Sequence, residues 1–187
     1  VRIARVLFLL AALAAAAVPA ASATTGLSAT TRLSETTELS ATTGSTRARD
    51  ILPAEGLIPS SVAVLRDQAA LDAHYYLADE GVLGLGRKTD AVFARYRTGG
   101  GEALLLVVAY PSAAEAGRVF ERFGQDFFSE AFDPRAARFI EPIETGDWAG
   151  AARKGPILIV VLEAPDRAGC DGLLRRAEEK APAAKTK

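Results

Sequence analysis

Ile157-Leu158-Ile159-Val160-Val161-Leu162-Glu163-Ala164, closed by Pro165, decides the fold. The run is rich in β-branched residues and has almost no polar alternation. It therefore reads as a strand covered on both faces or central in a sheet. Ala103-Leu104-Leu105-Leu106-Val107-Val108-Ala109-Tyr110, closed by Pro111, has the same character. A strand-like segment and a glycine turn precede each run: Asp90 to Arg97 with Gly99-Gly100-Gly101, and Asp147 to Arg153 with Lys154-Gly155. A helical pattern follows each. Both stretches thus spell strand, Gly turn, buried strand, Pro, helix.

The first helix begins with Ser112 as a cap and Glu115 three residues on, a capping box, and gathers Ala116, Val119, Phe120, Phe123 and Phe127 on one face. Asp166 caps the second, whose face is Cys170, Leu173, Leu174, Ala177 and Ala181. A shift of 54 residues lays Pro111 on Pro165 and Ala116 on Cys170. The expectation is an α+β fold with a mostly antiparallel sheet, two equivalent strand-strand-helix units, and both helices on one face. Ahead of these, Ser61 to Arg66 reads as a strand and Asp67 to Ala78 as a helix. Arg138 to Ile143 reads as an edge strand, because Pro142 cannot serve a central ladder. That order also allows a ferredoxin-like arrangement.

The folded part is expected at residues 50–181, with 182–187 a disordered tail. Before it, Arg2 and Arg5, the apolar stretch Val6 to Val18, Pro19 and Ala21-Ser22-Ala23 have the order of a secretory signal peptide over residues 1–23. The apolar stretch is short for a membrane span. Residues 24–49 hold a hexapeptide repeat, with Thr24-Thr25-Gly26-Leu27-Ser28-Ala29 returning from Thr30 and again from Thr36. One leucine per unit buries too little to offset chain entropy, so a disordered Ser/Thr linker is expected. The reading is of an exported chain, periplasmic or extracellular, with no membrane span once the signal is removed.

Charge and composition narrow the function. The 22 basic and 23 acidic residues nearly balance, which gives no reason to expect a nucleic-acid partner. Cys170 is the sole cysteine and His74 the sole histidine, so neither an internal disulfide nor a Cys/His zinc site within one chain is possible.

Individual candidates read as structural. His74 would have to be the base in any Ser-His or Cys-His mechanism, yet no nucleophile elbow accompanies it, and it flanks the buried face of its helix. Cys170 lies on an inward face with Asp166 and Asp171 near it, which raises a thiol pKa. Gly81-Val82-Leu83-Gly84-Leu85-Gly86 precedes a strand, whereas a phosphate cradle must open a helix. Glu141, Glu144 and Asp147 form no calcium-loop spacing and read as a solvated edge. Trp148 could be a ligand platform, though its strand position favours packing. Phe128 and Phe132 step off the buried stripe and could close over a second apolar pocket or meet a partner. No catalytic, cofactor-binding or metal residue emerges, and no cofactor is expected.

Ile51-Leu52-Pro53 opening the domain, the Tyr75-Tyr76 pair before a Gly-rich stretch, Arg95-Tyr96-Arg97 before a Gly turn, and Ala113-Ala114-Glu115-Ala116 opening a helix resemble an uncharacterised family of exported bacterial α+β domains. In that family a second strand-strand-helix unit closes the domain, similar to Lys154 to Lys180 here. The resemblance covers about residues 50–181, with this chain short between Asp133 and Asp147. It implies fold and export and carries over no catalytic residue. The function expected is a non-catalytic binding or accessory module of the bacterial envelope, taking a small molecule or an envelope protein, its oligomeric state open. The alternative is a carboxylate-dependent extracytoplasmic hydrolase, which needs two acids about 5–10 Å apart across a pocket.

Overall fold

The computed structural model describes residues 47–77, 81–128 and 131–182. The expected signal peptide and hexapeptide repeat lie outside these residues, as does all of the tail but Pro182. Six strands form one open antiparallel sheet: β1 (Ala63–Leu65), β2 (Asp90–Thr98), β3 (Gly101–Ala109), β4 (Arg138–Pro142), β5 (Trp148–Lys154) and β6 (Ile157–Ala164). Their spatial order is β1-β2-β3-β6-β5-β4. The helices are α1 (Gln68–Asp72), α2 (Ala113–Phe127) and α3 (Arg167–Lys180).

The two apolar runs become β3 and β6, and they are the central pair, as their lack of alternation requires. Each joins its partner through a two-residue hairpin, Gly99-Gly100 in one and Gly155-Pro156 in the other. Gly155 has φ +57°, the positive value that opens a mirror-image hairpin turn. The strand order is that of two hairpins side by side and excludes the ferredoxin-like alternative.

The helices do not share a face, contrary to the expectation from the repeat. On one side of the sheet, Phe93, Leu106, Val108, Leu158, Val160 and Leu162 pack with Val119, Phe120 and Phe123 of α2. On the other, Val92, Leu105, Val107, Ile157, Ile159 and Val161 pack with Cys170, Leu173 and Leu174 of α3. A bulge in β6 gives the physical reason. Leu105 pairs with Val161 and Leu104 with Glu163, so Leu162 is one residue too many. The same excess recurs against β5, where Gly150 pairs with Val161 and Trp148 with Ala164. One extra residue inverts the side-chain phase of everything beyond it. Tyr110, the first residue past β3, lies on the α2 side, whereas Ala164, its counterpart 54 residues on and the last of β6, lies on the α3 side. Each chain end then turns into its helix on the face it already occupies. The two units keep the same element order but have opposite hand, so they are not a symmetric duplication.

Helix caps follow the sequence. The Ser112 hydroxyl accepts from the Glu115 N–H at 3.2 Å, and the Asp166 carboxylate from the Gly169 N–H at 2.7 Å. α1 is shorter than expected and ends at Asp72. Beyond it Tyr75 and Leu77 are buried and Tyr76 exposed, a period-2 pattern that lays an extended segment over the sheet. The chain from Gly81 to Leu83 is tied down separately: Arg122 donates to the carbonyls of Gly81 and Val82, and the Tyr110 hydroxyl donates to the Leu83 carbonyl at 2.7 Å.

The fold also begins earlier than expected, because Ala48 is fully buried and opens a 3₁₀ turn, Ala48–Ile51. Its N–H donates to the Asp90 carboxylate at 2.8 Å. Ile51 and Leu52 then cover the second face beside α3, where Lys180 donates to the Leu52 carbonyl.

Candidate functional site

Beyond its three-residue pairing with β1, the outer edge of β2 is closed by irregular chain. Ile58 N–H donates to the Arg95 carbonyl at 2.9 Å, and Arg97 N–H to the Gly56 carbonyl at 2.7 Å. Gly56 is required there: its φ is +75°, and a Cβ would stand 2.4 Å from the Arg97 oxygen. Ser61 closes the gap between, its hydroxyl donating to the Ile58 carbonyl at 2.7 Å and accepting from Arg95 N–H at 2.8 Å.

This edging walls a depression of about 500 Å³ lined by Ile58, Ser60, Ser61, Val62, Ala63, His74, Arg95 and Glu102. Arg95 and Glu102 stand diagonally across the β2–β3 hairpin, with N···O 3.8 Å and both side chains about half exposed, 48% and 55%. His74 is exposed, just past the end of α1, with its ring stacked on Phe93 at 5.2 Å. The depression therefore combines one cation, one anion, an imidazole and an apolar wall.

A row of side chains continues across the same face. Arg95 pairs with Leu104, and Leu104 with Glu163. The bulge carries Glu163 onto this face. Burial raises its pKa first, the nearby Asp147 charge raises it further, and a hydrogen bond from Tyr75 opposes both. Asp147 itself accepts from the Thr145 hydroxyl at 3.1 Å.

The structure separates the remaining sequence candidates. Cys170 is buried against α3's own face of the sheet, and burial, then Asp171 and Asp166, push its thiol up to about 12. Glu141 is half-buried on β4 and Glu144 exposed in the following loop. Among the described residues, no three His, Cys, Asp or Glu side chains gather closely enough to hold a metal ion. Trp148 packs against the second core cluster, with the Arg167 guanidinium 5.5 Å from its ring centroid. A second depression of about 370 Å³ adjoins it, lined by Ile140, Arg167, Ala168 and Asp171.

Phe128 and Phe132 do not lie free: they stack at 6.0 Å and both pack on Phe139 of β4. The Gly81–Gly86 stretch presents carbonyls to Arg122, the opposite polarity to a phosphate cradle. Arg95, Glu102 and Ser61 were not singled out from the sequence. The signal available was a group of opposite charges, Arg95, Arg97 and Glu102, near the turn of a largely apolar hairpin.

The fold and site define an open-sheet α+β domain with a mixed-polarity surface depression. No protein-family model, curated protein or solved structure matches the chain.

Proposed function

We propose that the chain is an exported, non-catalytic binding or accessory module of the bacterial envelope whose ligand-facing surface is the depression beside β2. The observation that carries this reading is the lining itself. Opposite charges with exposed heads, and an apolar wall built from a rigidly hydrogen-bonded edge, are the parts from which a small-ligand site is made. Export rests on the order of charges, apolar stretch and small residues over residues 1–23. Native mass spectrometry of the protein purified from its own host tests both parts. The expected result is a mature chain starting after Ala23 with a bound small molecule. A chain retaining Arg2 and Arg5 sinks export. A mature chain whose depression binds nothing extractable from the host sinks the binding site.

One observation favours the hydrolase instead. Asp147 and Glu163 interact, and Glu163 is biased toward its protonated form, the asymmetry that an acid and base pair requires. The depression, however, is lined by a single carboxylate, Glu102. Screening against esters, amides and glycosides discriminates: turnover abolished by both Glu163→Gln and Asp147→Asn would replace the binding reading.

A further inference from the structure

We infer that the depression takes an α-amino acid head group with an apolar side chain; this rests on the depression being a binding site. The argument is one of unused hydrogen-bonding capacity. Arg95 offers five N–H donors in a planar fork, and among the described residues its guanidinium has one partner, Glu102. Their 3.8 Å separation is an ion pair too long for a hydrogen bond. Both heads thus keep nearly full valence while lying side by side in a concavity. The group that satisfies both at once carries a carboxylate for the Arg95 fork and a cationic donor for Glu102, on neighbouring atoms. An α-amino carboxylate has that arrangement, and a plain anion or a plain amine has half of it.

The rest of the lining orients such a ligand. Ser61 is held rigid by its two backbone hydrogen bonds, so the wall carrying Ile58 and Val62 does not collapse into the gap. The half-buried Ile58 side chain offers the apolar contact for a ligand side chain, while Val62 lines the wall and packs its own side chain on the core of the opposite face. His74, fixed by its stack on Phe93, closes the third side. A volume of about 500 Å³ accommodates one amino acid with its first water layer.

The test is amide chemical-shift titration of the uniformly ¹⁵N-labelled chain with L-leucine, N-acetyl-L-leucine and L-leucinamide. Leucine is expected to shift the amides of Ser61, His74 and Glu102 saturably. Blocking either end should weaken binding by about twofold to fivefold, the modest cost of losing a charged pair whose heads are about half exposed. Arg95→Gln should remove the preference for leucine over leucinamide, and Glu102→Gln that over the N-acetyl form. Both positions are exposed enough for the variants to fold, which unchanged spectra elsewhere would verify. Blocked forms binding as well as leucine, or no shift with leucine, overturn the assignment. In the latter case host extract is added: shifts at the same amides mean that only the ligand class has failed, and their absence means that the binding reading has failed with it.

Discussion

Phe120 and Leu174 hold the same place in α2 and α3, 54 residues apart, and point at opposite faces of one sheet. The sheet lies between them, so they share no cavity. Truncating Phe120 to Ala should cost about 3–5 kcal/mol and Leu174 to Ala about 2–5 kcal/mol. Because the two cores are separate, the costs should add to within about 0.5 kcal/mol in the double variant. Denaturant unfolding of the single and double variants checks this. A coupling above 1 kcal/mol would put both side chains in one core.

Gly124 lies beneath Phe132. A Cβ at this helix position would fall 2.0 Å from the ring. Alanine normally stabilises a helix interior by about 1 kcal/mol over glycine. Here overpacking, at about 1–3 kcal/mol, should reverse the sign. Gly124→Ala is expected to lower stability, and to do so less when Phe132 is also Ala. A stabilising Gly124→Ala in the wild-type background would mean that the Phe132 ring does not cover this glycine.

Cys170 should behave as a small apolar side chain. With its thiol pushed up to about 12, it stays protonated across the ordinary range, and burial denies reagents access. Thiol labelling of the native protein should be slow and become fast in denaturant. Fast labelling of the native state would contradict the packing of α3.

Two carboxyls should tilt the pH dependence of stability in opposite senses. Partial burial alone would raise Asp171, but a hydrogen bond from Arg175 and the charges of Arg175 and Arg138 outweigh it and hold the carboxyl below its usual range. Its contribution is present above the unfolded-state value of about 3.9 and is lost as the pH falls through the folded one. Glu163 has the opposite shift, so the folded state holds its proton more tightly and stability drains away as the pH rises from about 4.3 through its folded value. Asp171→Asn should therefore flatten the loss of stability in acid. Glu163→Gln should be neutral or stabilising at pH 7 and lose that advantage below about pH 4. Urea midpoints measured from pH 3 to 8 decide both.

The strands, hairpins and caps were legible in the sequence because each rests on a local rule. Val107 and Val161 sit in runs that only a central position can bury, Gly155 precedes Pro156 at a tight turn, and Ser112 and Asp166 precede helical patterns. The face of each helix was not legible, because it depends on a register shift at Leu162, set by pairing with Leu105 and Gly150 far away in the chain. Nothing in Val161-Leu162-Glu163 marks that shift beyond the first polar residue of the run. The depression escaped for a related reason. Its lining comes from residues 58, 60–63, 74, 95 and 102, which only the folded edge of β2 brings together.

The supernumerary residue in β6 makes the halves mirror-handed, and no rotation carries one onto the other. Without that residue both helices would stack on one side and leave the opposite surface of the central strands largely bare to water. With it, the chain wears a helix front and back.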